Sequence, residues 1–280
     1  MLRIAVPNKG SLSEPAVELL REAGYKQRRD PRELVLVDAR NEVEFFFLRP
    51  RDVAVYVGAG TVHAGITGRD LLLDSGASAT EQLELGFGGS TFRYAAEPGK
   101  ISSIEQLAGK RVATSYAHLV DAHLRSFGIE AEVVRLDGAV ESSVRLGVAD
   151  AVADVVSTGT TLKAAGLEVF GDPLLVSEAI LIRSDGVPES KVAVLTARLR
   201  GVLMGRQYVL MDYDVPREHL DATCAVTPGF EAPTVTPLHE SDWLAVRVMV
   251  PRFEMNHVMD ALYAAGARAI ITTELLNVRV

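Results

Sequence analysis

Residues 141–162, ESSVRLGVADAVADVVSTGTTL, hold the side chains whose types and spacing best suit chemistry. The run reads as a helix, a buried strand rich in valine and alanine, a turn of small hydroxyl residues and the start of another helix. Asp154 falls near the end of the strand, and Ser157-Thr158-Gly159-Thr160-Thr161 form the turn. Such a turn offers backbone N–H groups and hydroxyls at the positive end of a helix, where a phosphate is well held. A carboxylate just upstream can accept hydrogen bonds from sugar hydroxyls, so the implied ligand is a sugar phosphate. Ser and Thr also favour helix N-caps when nothing binds there. The turn therefore counts as a site only in its context, with Glu141, Gly147 and Asp154 upstream.

The elements that must position these residues alternate strand and helix. A strand over 2–6 closes on Pro7-Asn8-Lys9-Gly10, and Ser11 and Glu14 have capping-box spacing with Pro15 in the first turn of a helix. Strands are expected at 34–37 and 43–48, and Gly65-Ile66-Thr67-Gly68-Arg69-Asp70 turns from a strand end into a helix at 71–74. A second α/β unit runs over 91–181, with strands at 92–95, 111–114 and 131–135 and helices at 104–107 and 116–127. Each unit contains a strand feeding a small-residue turn and a helix, 64–71 in one and 151–162 in the other, which hints at related halves. The apolar spacing of Val192, Leu195, Leu199 and Val202 predicts one long helix over 189–211. Beyond it come a helix (216–226), strands at 234–237 and 243–250, a helix (253–265) and a strand (269–272), an order that suits a ferredoxin-like α+β domain.

A chain of 280 residues suits two or three domains, and 48% hydrophobic with 24% charged residues is the composition of a folded, soluble protein. The single cysteine, Cys224, excludes an internal disulfide or a cysteine-based metal cluster and reads as a small buried apolar residue. The six histidines have no paired-ligand spacing, which argues against a structural metal. A net charge of -8 without a basic, aromatic-interleaved cluster argues against a nucleic-acid partner. No apolar run reaches the ~18 residues that span a bilayer. Lys9 and Gly10 stand where a signal peptide would have its apolar core, so a cytoplasmic protein with no membrane partner is expected.

Glu141, Gly147, Asp154 and Thr158-Gly159-Thr160-Thr161-Leu162 resemble, in order and spacing, the phosphoribosyl-diphosphate-binding signature of the ATP phosphoribosyltransferase family. Three more segments are similar to that family: Pro7-Asn8-Lys9-Gly10-Ser11-Leu12 to P-x-K-G-x-L, residues 65–71 to G-I-T-G-x-D-L, and residues 227–234 to T-P-G-x-x-x-P-T. The resemblance covers essentially the whole chain and, with its C-terminal domain, points to the long form of the enzyme. It implies an α/β fold of two lobes with periplasmic-binding-protein type II architecture plus a C-terminal ferredoxin-like α+β regulatory domain. The expected bounds are 1–90 with 182–211 for lobe I, 91–181 for lobe II and 212–280 for the regulatory domain. The implied reaction joins ATP and 5-phosphoribosyl 1-diphosphate to give phosphoribosyl-ATP and pyrophosphate, the first step of histidine biosynthesis. Mg2+ is the implied cofactor, L-histidine the feedback inhibitor, and a homo-oligomer, a hexamer or else a dimer, the assembly.

The resemblance also distributes roles. Lys9 and Arg49 would face pyrophosphate, with Arg51 an equally good candidate by residue type alone. Asp70 would be a ligand contact or only a helix cap, and Tyr116, in a T-x-Y context, would stack on adenine. Asp154 would take the ribose hydroxyls, Ser157, Thr158, Gly159, Thr160 and Thr161 the 5-phosphate, and Glu141 a supporting position. Asp214, Phe230, Thr234 and Ala269 would line the regulatory histidine site. No acid–base catalyst is expected, because adenine N1 brings its own lone pair. One departure stands out: His63 occupies the place of a usual acidic residue, which puts that carboxylate's role in doubt. The competing readings are a solute-binding protein that captures an anion between two lobes and a regulatory subunit without catalysis.

Overall fold

The computed structural model describes residues 1–30, 32–156, 159–239 and 242–279. Apolar strands that alternate with helices need a sheet covered on both faces, and the N-terminal part builds one. Its elements are β1 (Leu2–Pro7), α1 (Ser13–Glu22), β2 (Val35–Asp38), β3 (Val43–Leu48), α2 (Pro50–Gly58), β4 (Ala64–Gly68), α3 (Arg69–Ser75) and β5 (Ala79–Glu84). The chain then crosses to β6 (Ser90–Ala96), β7 (Arg111–Thr114), α4 (Ala117–Ser126), β8 (Glu132–Arg135), α5 (Ser142–Arg145), β9 (Ala151–Val156), α6 (Thr160–Ala164) and β10 (Glu168–Ser177). It returns through β11 (Ala179–Ser184).

The first sheet has the order β2-β3-β1-β4-β11-β5 and the second β10-β6-β9-β7-β8. β1, β3 and β4 are parallel, as are β7, β8 and β9. In each sheet the trio is followed by an antiparallel strand from the chain's other passage, β11 in the first and β6 in the second. Apart from β2, the two lobes therefore share one arrangement, the expected type II architecture. β4 and β9, the two strands that feed small-residue turns, occupy equivalent places in their sheets. The hint of related halves has a structural counterpart.

From α7 (Glu189–Gln207) the chain enters β12 (Tyr208–Pro216), α8 (Leu220–Val226), β13 (Thr234–Pro237), β14 (Trp243–Pro251), α9 (Met255–Ala264) and β15 (Arg268–Glu274). The last four strands form an antiparallel sheet of order β13-β14-β12-β15. The element order βαββαβ is ferredoxin-like, as expected, but its first strand corrects the sequence reading. Residues 208–211 continue the apolar helix pattern, yet Val209, Met211, Tyr213 and Val215 alternate into the core under α8 and α9. Tertiary pairing with β14 and β15 overrides the local periodicity.

Two further bounds differ from expectation. β11 pairs into the first sheet from Ala179, ahead of the expected edge at 182. The chain forms two compact units, 1–21 with 25–196 and 22–24 with 197–280, so the second half of α7 belongs with the C-terminal unit and not with lobe I. The reason lies in Gly201 and Gly205, whose missing side chains let the backbone of residues 275–278 lie against the helix, with Val278 N–H donating to the Gly201 carbonyl at 3.0 Å.

Gly65 shows how tightly lobe I is built. A Cβ there would meet Val53 at 2.6 Å, Val57 at 3.1 Å and Ala5 at 3.2 Å, all buried beneath α2. Gly65→Ala is expected to destabilise the protein by about 2 kcal/mol through overpacking, read as a lower denaturant midpoint with an unchanged slope.

Candidate active site

Ligands of open α/β sheets gather at the carboxyl ends of the parallel strands. Lobe I sends Lys9, Arg49 and Asp70 from the ends of β1, β3 and β4, and lobe II sends Tyr116 and Asp154 from the ends of β7 and β9. The two edges meet. The Tyr116 phenol and the Asp154 carboxyl both feel the charge of Asp70, and Asp154 feels that of Glu141 as well. Asp70, Tyr116, Asp154 and Glu141 are thus brought together.

Asp70, buried, opens α3, but its side chain does not cap that helix. Its Oδ1 accepts the Ser177 hydroxyl at 2.8 Å, and its backbone N–H donates to the same hydroxyl at 3.0 Å. Ser177 ends β10, so a crossing strand between the lobes orients the carboxylate. Burial, reinforced by the Asp70 and Asp154 charges and opposed by Arg51, pushes the Tyr116 phenol far above its ordinary range. The phenol stays protonated beside the Asp70 carboxylate.

Burial also raises the Asp154 carboxyl above the usual carboxylate range, with Glu141 and Asp70 adding to the rise and the Val155 N–H, 2.8 Å from its Oδ1, opposing it. Beyond Val156 the chain opens into α6 through Gly159, in the left-handed region at φ 72°. Thr160 and Thr161 stand exposed in the first turn of α6, whose N–H groups have no intrahelical acceptor. Ser157 and Thr158 lie outside the described residues. A cavity of about 510 Å3 lies beside Val156 and Ser177, lined also by Ser90, Thr91 and Glu178, a volume suited to a small ligand.

The two arginine candidates separate cleanly. Lys9 and Arg49 are exposed, and among the described residues neither side chain has a hydrogen-bond or ion-pair partner. Arg51 is spoken for, with Nη1 2.6 Å from Asp74 and Nη2 3.0 Å from the Ser115 carbonyl. Arg69 of the GITGRD segment is held by Glu81 and Glu84 at 2.7 and 2.8 Å. No group of three or more His, Cys, Asp or Glu among the described residues could cage a metal ion. Sequence reasoning missed Ser177 and Asp74, which sit in no motif.

His63 lies elsewhere. It precedes β4, at the amino ends of the strands, where its Nδ1 accepts the Arg3 N–H at 2.8 Å and its Nε2 sits 3.0 Å from Lys191 Nζ. An acidic residue at this position would stand beside Arg3 and Lys191, at the sheet edge opposite the cleft, so the departure at His63 does not touch the site.

In the C-terminal unit, Asp214 pairs with Ala245 and Arg268 across the sheet, and Thr234 pairs with Arg247. Both lie on the sheet face opposite the buried residues of β12 and β14. Ala269, at φ 50°, sits in the bulge of β15 between the pairs Asp212–Ile271 and Asp214–Arg268. Phe230 does not join them. It meets Tyr208 edge-on at 6.1 Å, about 20 Å along β12 from Asp214.

Fold and site together define a two-lobed α/β protein of periplasmic-binding-protein type II architecture, with strand ends from both lobes gathered at one cleft. The family model described as ATP phosphoribosyltransferase matches residues 49–201, and the one described as HisG, C-terminal domain, matches residues 205–277. An ATP phosphoribosyltransferase of Pseudarthrobacter chlorophenolicus is 62% identical over 284 residues, covering 100% of each chain. One of Streptomyces coelicolor is 59% identical over 280 residues, covering 98% of each. The solved ATP phosphoribosyl transferase (HisG:HisZ) complex from Thermotoga maritima superposes with a TM-score of 0.62 at 26% identity, over 71% of this chain and 97% of that one. The chain belongs to the ATP phosphoribosyltransferase family, pentosyltransferases that open histidine biosynthesis.

Two variants test this geometry. Asp154→Asn removes a carboxylate that is uncomfortable when charged. It should stabilise the protein at neutral pH by about 1 kcal/mol, a gain that vanishes in acid where the carboxyl is protonated anyway, while kcat/KM falls at least about 100-fold. A loss of stability at pH 7 would contradict the raised carboxyl. His63→Asp should leave turnover unchanged. The His63 imidazole is held below its ordinary pKa by burial, then by Lys191, Arg3 and the N-terminus. The unfolded chain therefore protonates first, and stability falls as pH drops below about 6.5. The aspartate should weaken that decline in a pH series of melting temperatures.

Proposed function

We propose that the cleft moves the phosphoribosyl group of 5-phosphoribosyl 1-diphosphate to N1 of ATP by binding and positioning, without an acid–base catalyst. The observation that carries this reading is Asp154 at the end of β9, beside the Gly159 turn, on the same lobe as Tyr116 and within reach of the Asp70 charge from the other lobe. The turn at 157–161 holds the 5-phosphate and Asp154 the ribose hydroxyls, which fixes the anomeric carbon for attack. Positive charge that builds on the ribose is favoured by the ionised carboxylates around it. Lys9 and Arg49, without side-chain partners among the described residues, take the pyrophosphate as it leaves. Asp70 and Tyr116 form the wall that receives the adenine.

The carboxylate set fits a divalent cation held mainly by substrate oxygens, since Mg2+ usually takes one or two protein carboxylates plus phosphates. Asp154, with Glu141 or Asp70, would supply them. Mg2+ bound there would neutralise charge on the diphosphate.

For the C-terminal unit, the open face bearing Asp214, Thr234 and Ala269 is the proposed L-histidine site, with Asp214 holding the amine. Phe230 is left out of it because of its distance from Asp214. A homo-hexamer in the cytoplasm completes the proposal.

The test is turnover: protein with ATP, 5-phosphoribosyl 1-diphosphate, Mg2+ and pyrophosphatase, followed by ultraviolet absorbance with and without L-histidine. Product that histidine suppresses, with suppression lost in Asp214→Ala, is expected. Product insensitive to histidine would remove the regulatory part, and ATP binding without product would remove the catalytic part.

A further inference from the structure

The stretch that carries Tyr116, between β7 and α4, is gripped from the first lobe. Arg51, on α2, is the hub. Its two terminal nitrogens donate to Asp74 at 2.6 Å and to the Ser115 carbonyl at 3.0 Å, and its guanidinium carbon lies 4.8 Å from the Tyr116 ring centroid. Asp74, on α3, is 9% exposed. Its other oxygen accepts the backbone N–H groups of His118 and Leu119 at 3.1 and 3.2 Å, in the first turn of α4.

Helices usually receive such a cap from the residue just before them, where Ser, Thr, Asp and Asn are favoured. Tyr116 occupies that place, and α4 has no side-chain cap there. The cap comes instead from the other lobe, 44 residues away in sequence. A ring at a position that calls for a short polar residue needs a use of its own. The ring is also fixed on two sides: Arg51 lies over it, and Phe92 meets it edge-on at 5.1 Å and 80°. An ion pair serving stability alone needs neither the second arginine bond to Ser115 nor the contact with the ring.

We propose that Arg51 and Asp74 are positioning residues for the nucleotide, acting through Tyr116. The pair docks the β7–α4 junction onto lobe I and sets the Tyr116 ring in the orientation in which it meets the base. The inference rests on the reading of Tyr116 as a nucleotide contact and extends it to two residues outside every motif of the chain.

Arg51→Lys keeps the charge, but an ammonium cannot bond Asp74 and Ser115 together while lying flat on a ring. The variant should raise KM for ATP about tenfold, with kcat and KM for 5-phosphoribosyl 1-diphosphate within about twofold of the parent. Against a Tyr116→Ala background the same change should add nothing to KM for ATP, as a double-mutant cycle requires when one residue acts through the other. Arg51→Lys with an unchanged KM for ATP, or effects that simply add, would overturn the positioning role. Tyr116→Ala with an unchanged KM for ATP would instead overturn the reading of Tyr116, and the proposal with it. Melting curves accompany each variant. Should Arg51→Lys not fold, Asp74→Asn, which keeps an oxygen for α4 and loses the charge partner, must give the same selective rise for ATP or the proposal fails.

Discussion

Asp154 and Asp70 come from different lobes, yet each carboxylate feels the other in a half-buried cleft, with Glu141 beside them. Like charges in such a place oppose folding, by on the order of 1 kcal/mol or more in an environment of intermediate dielectric. The surrounding structure answers this constraint. Ser177 gives a hydroxyl to Asp70 from the crossing strand, the protonated Tyr116 phenol stands beside it from lobe II, and Arg51 adds a positive charge behind the ring. The repulsion that is left acquires a use when a cation enters. A divalent ion on a diphosphate, or a ribose gaining positive charge, would relieve it, and in the proposed reaction that relief would favour the state to be passed through.

Much of this was legible because it is local. A strand end, a small-residue turn and a helix start lie within about a dozen residues, and both β4–α3 and β9–α6 announce themselves that way. Lys9, Arg49 and Asp70 follow strand ends in the same manner. The choice between Arg49 and Arg51 was not local. Both are arginines beside Pro50, and only the fold shows Asp74 and Ser115 arriving to occupy the second. Ser177 meets Asp70 across 107 residues, a pairing no periodicity encodes. His63 looked like a gap in a motif because a sequence places neighbours in line. The sheet sends 63 and 70 to opposite ends of the same strand.

The C-terminal unit failed differently. Residues 208–216 alternate with period two, but they directly follow a helix whose own apolar face ends at Val202, and an apolar run of that length fits either pattern. Pairing with β14 and β15 decides it. Once β12 is in place, its odd-numbered residues fill the core and its even-numbered ones, Asp212 and Asp214 among them, are left on the open face. The face a regulatory ligand would use is thus a direct product of the strand that local pattern hides. Phe230, singled out within the same motif-rich stretch, is carried by its turn to the opposite end of β12.

The chemistry follows from what these groups cannot do. A phenol pushed far above its ordinary range does not act as a base near neutrality, and Asp70 already accepts the Ser177 hydroxyl. Burial raises Asp154, and the groups whose charges it feels, Glu141 and Asp70, are carboxylates and not amines or imidazoles. A site of this composition has little means of moving protons and considerable means of holding two polyanionic substrates in register. The proposed transfer, to a nitrogen that already carries a lone pair, asks for no more than that: an oriented anomeric carbon, cations such as Lys9 and Arg49 to meet the leaving group, and a base set against the Tyr116 ring, over which Arg51, paired with Asp74, lies.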